Sequence, residues 1–163
     1  MSTSALADAH IFGVLSDGDL NAGAQLKCDS INTKNVHSVV FCVNIQAVAT
    51  ASTYVKLFSG ATDAAVTSAL TFRYAFAAAA QGSASGDVFT TWSTSANLAI
   101  AATTYNGFNL LIEVDVSEMD LANAEEWLTL TFNDTDTGST GNVSVTAVAK
   151  TRYKNRPYGT VLA

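Results

Sequence analysis

Asn106-Gly-Phe-Asn-Leu-Leu-Ile-Glu-Val-Asp-Val-Ser117 alternates in side-chain character with a period of two. Phe108, Leu110, Ile112, Val114 and Val116 fall on one side, and Asn109, Glu113 and Asp115 on the other. Successive strand residues point to opposite faces, so this pattern predicts a strand with one face on a core and one toward solvent. The same period recurs outward from it. Glu126-Trp-Leu-Thr-Leu-Thr-Phe-Asn133 puts Leu128, Leu130 and Phe132 in register, opposite Trp127, Thr129 and Thr131. Residues 142–150 repeat it with Val143, Val145, Ala147 and Ala149. Thr53–Ser59 sets Val55 and Leu57 against Tyr54, Lys56 and Phe58. Val36–Gln46 is nearly continuously apolar and β-branched, which predicts a central strand buried on both faces. His10–Leu15, Gln25–Asp29, Ala69–Phe76 and Asp87–Trp92 are further strand candidates.

The breaks between these segments carry Gly, Asn, Asp and Ser: Asp17-Gly-Asp, Asn21-Ala-Gly, Ser59-Gly, Gly82–Gly86 and Asn106-Gly. Asn133–Gly141 joins two good strands and reads as a hairpin loop. Ala77–Ala80 favours helix by composition but is too short to form one alone. Ser117–Glu126 has room for one helical turn, with Ser117 or Asp120 as its cap. The expectation is an all-β fold: a single-domain, jelly-roll-like β-sandwich of about eight strands, with no helix longer than about two turns. Residues 1–151 form the sandwich and residues 152–163 a basic C-terminal arm.

The chain has 163 residues, enough for one domain with a real core. Only 13% of residues are charged, against a usual value of about 25%. Ala, Ser, Thr and Asn must therefore cover part of the surface, as suits a protein packed against copies of itself or a larger lattice. All fourteen acids lie before residue 150, and four of the eight bases lie at or after it. The tail holds Lys150, Arg152, Tyr153, Lys154, Arg156 and Tyr158, and the chain's only proline, Pro157. These residues are the candidate interface arm: basic, aromatic and opposite in charge to the acidic body. The net charge of −6 argues against general nucleic-acid binding. No apolar run reaches the roughly 18 residues of a membrane span. Met1–Asp8 has neither the basic nor the apolar region of a Sec-type signal peptide. The chain is therefore expected to stay where it is made unless it leaves within an assembly.

Catalytic and metal chemistry find little support. His10, Cys28, His37 and Cys42 are spaced by 18, 9 and 5 residues, which matches no zinc-finger spacing. Cys28 and Cys42 without a secretion signal do not suggest a disulfide framework. Asp134-Thr-Asp-Thr-Gly138 resembles the start of a calcium loop but lacks the closing Glu, so a polar loop tip is the better reading. Gly82-Ser-Ala-Ser-Gly86 has Ala84 where a nucleophile elbow needs serine. Glu113 and Asp115 share the outer face of one strand, where solubilising residues normally sit. Dinucleotide and Walker fingerprints are absent. No catalytic residue, metal site or cofactor is expected. Trp92, Tyr105 and Trp127 would suit a sugar-binding platform, though core or interface packing is the more common use of such rings.

Three stretches resemble the small virion structural proteins of tailed bacteriophages, especially head decoration (cement) proteins. They are Val39-Val-Phe-Cys-Val-Asn-Ile45 leading into Thr53–Ser59, the late pair Leu110–Val116 and Trp127–Phe132, and the closing Ala147-Val-Ala-Lys-Thr-Arg-Tyr153. The resemblance covers roughly residues 36–158, and the Ala/Ser/Thr-rich residues 61–105 depart from it. It implies a β-sandwich or jelly-roll subunit, commonly a homotrimer, that binds the major capsid protein without catalysis. Such a subunit is made in the host cytoplasm and sits on the outer head surface of the virion. The expectation is thus a non-enzymatic protein that decorates and stabilises a phage capsid. The alternatives are a phage tail or neck structural subunit, or a carbohydrate-binding β-sandwich module.

Overall fold

A computed structural model describes residues 9–21, 25–132 and 139–152. The described residues form twelve strands: β1 (Ala9–Asp19), β2 (Leu26–Lys27), β3 (Ile31–Asn32), β4 (Val36–Ile45), β5 (Thr53–Gly60), β6 (Ser68–Leu70), β7 (Phe72–Phe76), β8 (Ser93–Ser95), β9 (Leu98–Ile100), β10 (Asn109–Asp115), β11 (Trp127–Phe132) and β12 (Asn142–Thr151). The first sheet runs β1-β12-β4-β10-β7-β8. The second runs β2-β11-β5-β6, with β3 also on β11 and β9 also on β5. All pairings are antiparallel.

The topology is that of one long ribbon rolled on itself. β1 pairs with β12, β2 and β3 with β11, β4 with β10, and β5 with β6 and β9. Rolling then joins β12 to β4 and β11 to β5. This is a jelly roll: the eight positions are all filled, and the β7–β8 hairpin extends the first sheet beyond β10. The count of twelve exceeds the expected eight because two positions are each split into short strands and one hairpin is added.

The inward residues expected of β5, β10, β11 and β12 form the core, together with one face of β4 and with Leu98 and Ile100 of β9, which alternation did not select. Val39, Phe41, Val43 and Ile45 of β4, Leu110, Ile112 and Val114 of β10, and Val143, Val145, Ala147 and Ala149 of β12 are buried from the first sheet. Val55, Leu57, Leu98, Ile100, Leu128, Leu130 and Phe132 meet them from the second. Among the described residues the helical segments are two three-residue 3-10 turns, Val116–Glu118 and Leu121–Asn123, capped by Asp115 and Asp120.

Three expectations are corrected. β4 is central but buried on one face only; Val40 and Cys42 on its other face are half-buried, and among the described residues no strand forms a second layer outside this sheet. β11 and β12, expected to be joined as a hairpin through Asn133–Gly141, lie in different sheets and do not pair with each other. Asp87–Trp92 is not a regular strand. Ala78 N–H donates to Val88 O and Thr90 N–H to Phe76 O, around a single Ala77–Phe89 bridge, and the ladder resumes at β8. One glycine is demanded by packing. Gly141 has φ +130°, and a Cβ there would run into the carbonyl of Ala47.

Candidate interaction surface

The outer face of the first sheet gathers residues from all six of its strands. One row across it reads Ile11, Val148, Val40, Glu113, Arg73 and Thr94. The row on one side reads Ala9, Lys150, Ser38 and Asp115. The row on the other reads Gly13, Thr146, Cys42, Leu111 and Ala75. An apolar strip thus occupies the β1-β12-β4-β10 side: Val40, Cys42, Leu111 and Val148 are half-buried, and Ile11 is 51% exposed. Isolated exposed apolar residues are ordinary, but a contiguous strip with a charged border is the usual signature of a protein contact.

The border is built from charges of both signs. Glu113 and Arg73 face one another across β10 and β7, 3.5 Å apart, and the Arg73 guanidinium lies 5.1 Å from the centre of the Trp92 ring. Asp115 accepts from Ser117 N–H at 2.8 Å and from Ser117 Oγ at 2.7 Å. These bonds hold its carboxyl below the usual carboxylate range, with His37 and Arg152 adding to the effect. A shallow cavity of about 480 Å³ lies among Ser38, Arg73, Thr94, Glu113, Asp115 and Lys150. A second hollow, lined by His37, Asp115, Ser117, Thr151 and Arg152, adjoins it.

Of the candidate arm, Lys150 is exposed on this outer face at the end of β12. Arg152 follows it, and its N–H donates to Asn35 O while its Nε donates to Val36 O, each at 2.9 Å. The start of the arm is therefore fastened to the entry of β4. Tyr153, Lys154, Arg156 and Tyr158 lie outside the described residues, as does the Asp134–Gly138 segment.

The other polar candidates are not brought together. Cys28 faces the core, where burial drives its thiol pKa far up. Cys42 and His37 lie on the outer side of β4, and burial raises the Cys42 thiol as well. Among the described residues no three of the His, Cys, Asp and Glu side chains form a metal-holding group. The three aromatic candidates sit on separate elements. Tyr105 stacks on Phe76 at 4.0 Å between ring centres and meets Phe108 edge-on, so its ring is used in packing. Trp92 belongs to the β8 border and Trp127 opens β11 in the opposite sheet.

Sequence reading missed a buried polar cluster at one end of the sandwich. Glu125 is only 4% exposed and accepts from Ser59 Oγ at 2.5 Å and Ser68 Oγ at 3.0 Å. Ser59 and Ser68 are paired across β5 and β6. A buried carboxylate needs such donors. Nothing in the local pattern of residues 117–126 signals this, because its partners come from strands some sixty residues away.

No family model matches this chain. No curated protein matches it either. A solved structure described as "Crystal structure of SPBc2 prophage-derived protein YomS" aligns with 91% of this chain and 98% of that one, with a TM-score of 0.48 and 10% sequence identity.

Proposed function

We propose that this protein is a non-enzymatic structural component of a phage virion that decorates and stabilises the head by binding the major capsid protein. The observation that carries the reading is the outer face of the first sheet. It presents an apolar strip, Ile11, Val148, Val40, Cys42 and Leu111, bordered by charges and by the strand end from which the basic segment departs. A rigid antiparallel sandwich holds that strip without internal rearrangement, so little conformational entropy is lost on docking. The sequence resemblance to head decoration proteins points the same way, and supplies the homotrimer. In that arrangement the arm from Lys150 onward reaches a neighbouring copy or an acidic patch of the capsid. Several weak contacts per trimer would then act together, since later contacts form at high effective concentration.

Co-sedimentation with empty expanded capsids tests the proposal. The intact protein is expected to sediment with them. Val40→Asp, which puts a charge into the strip, is expected to abolish binding while leaving the circular dichroism unchanged. Deleting residues 153–163 is expected to weaken binding and to shift light scattering away from the trimer. A folded protein that ignores the capsids, or a Val40→Asp variant that binds as well as its parent, would overturn it.

A further inference from the structure

Among the described residues, three of the four sheet edges are charged, broken in register or divided between two strands. β1 pairs with β12 through two register breaks, between Gly13 and Leu15 and between Leu15 and Gly18, and carries exposed Asp17 and Asp19. One edge of the second sheet is split into the two-residue strands β2 and β3, and Lys27 is fastened there to Ala64 O. The opposite edge is divided between β6 and β9. Bulges, charges and breaks of this kind prevent an edge from pairing with another chain.

The exception is β8. It is the last strand of the first sheet, and its outer side pairs with no strand among the described residues. Thr90 to Thr94 are all exposed, with Trp92 38% and nearby Val88 54% exposed. From Val88 to Ile112 the sequence contains no charged residue and no proline. The β8 edge is short, but it carries no charge, has no register break against β7 and is not divided between two strands.

We infer that β8 is a self-pairing edge, at which two copies of this chain join antiparallel about a twofold axis at Thr94 to continue the first sheet from one molecule into the next. That register sets Ser93 against Ser95 and Thr94 against Thr94, hydroxyl pairs that are favourable across antiparallel strands. It also sets the large Trp92 ring opposite the small Ala96, once on each side of the axis. Arg73 already holds the Trp92 ring, which lowers the ordering cost of contact. The nearest like charges, the two Arg73 side chains, would lie three strand spacings apart, about 14 Å, beyond the ~10 Å Debye length. Each is also paired with its own Glu113. An edge free of charge is compatible with a copy of itself, which a charged edge is not. The contact is short, so it is weak alone and gains strength where many copies are arrayed. Its twofold symmetry separates it from the threefold association proposed above, and it does not depend on the virion reading.

Cysteine cross-linking tests it, in a Cys42→Ser background where only buried Cys28 remains. Facing residues of an antiparallel pair lie about 4.5–5.5 Å apart at Cα, within the span of a disulfide. Thr94→Cys is expected to form a covalent dimer on a denaturing gel after mild oxidation, at least tenfold faster than Thr146→Cys, exposed on β12. In sedimentation velocity, Thr94→Lys is expected to lower the association constant of the twofold contact at least tenfold with unchanged circular dichroism. A chain ending at Arg152 is expected to cross-link through residue 94 as the full chain does. The inference is overturned if Thr94→Cys links no faster than the control, or if Thr94→Lys associates like its parent. It is equally overturned if only the truncated chain cross-links, since the chain's own tail would then cover the edge.

Discussion

The two sheets of the sandwich treat their outer faces differently. On the second sheet, Thr129 and Thr131 point away from the core yet are fully buried. The turn after β5 folds back over Thr129, and Thr131 Oγ1 donates to Lys56 O at 3.3 Å. Thr129 Oγ1 donates to Ala65 O at 3.2 Å, Ala64 N–H donates to Ser30 Oγ at 2.9 Å, and the Ser30 and Thr129 hydroxyls share a 2.7 Å hydrogen bond. Gly60 permits this close return, because a Cβ there would collide with Ala65. On the first sheet the positions equivalent in direction are apolar and half-open: Val40, Cys42, Leu111 and Val148. Two threonines are thus sealed on one outer face, while four apolar residues stay half-open on the other. The half-open strip is the face on which the proposed contact rests.

Exchanging the chemistry of the two faces tests the difference between them. Thr129→Val keeps the shape but leaves Ser30 Oγ and the Ala65 carbonyl short of a partner in a buried site. It is expected to destabilise the fold by about 1–3 kcal/mol in urea titration, the range for an orphaned buried polar group. A change under about 0.5 kcal/mol would mean that water replaces the lost hydroxyl and that the face is not sealed. The mirror substitution, Val40→Thr, adds a hydroxyl to the open face. It is expected to stay within about 0.5 kcal/mol of the parent, as for surface positions generally. A larger loss would show that the strip is covered within the monomer and is not a docking face.

The smallest effect is expected at Asp115, on the charged border of the open face. Its pKa is lowered in the folded protein by the Ser117 hydrogen bonds, with His37 and Arg152 contributing. A lowered carboxylate pKa adds stability that is fully present above the unfolded value near 3.9 and is lost as pH falls through the folded value. Asp115→Asn should therefore flatten the acid limb of the stability–pH profile below about pH 4. Because the group is open to solvent, the change at neutral pH should be small. An unaltered acid limb would show that the Ser117 bonds do not persist in solution.

The long strands were legible from period-two alternation, and the inward residues of β5, β10, β11 and β12 are the ones that pattern selects. The short strands β3 and β9 were not, because two or three residues are too few to show a period. Alternation also says which residues share a face, but not what covers it. Thr129 and Val40 make the point, since polarity alone would assign each the opposite surroundings. The site was partly legible: Lys150 and Arg152 stood out by charge, whereas the strip from Ile11 to Leu111 assembles four strands distant in sequence.

Local periodicity and composition specify the all-β class, the inward sets of β5, β10, β11 and β12, and the charge contrast between body and tail. The assignment of β11 and β12 to different sheets, the holding of Glu125 by Ser59 and Ser68, and the burial of Thr129 beside the half-open Val40 appear only in the tertiary structure. Those features depend on which distant segments become neighbours once the ribbon is rolled, and pairing across the roll leaves no periodic trace in the chain.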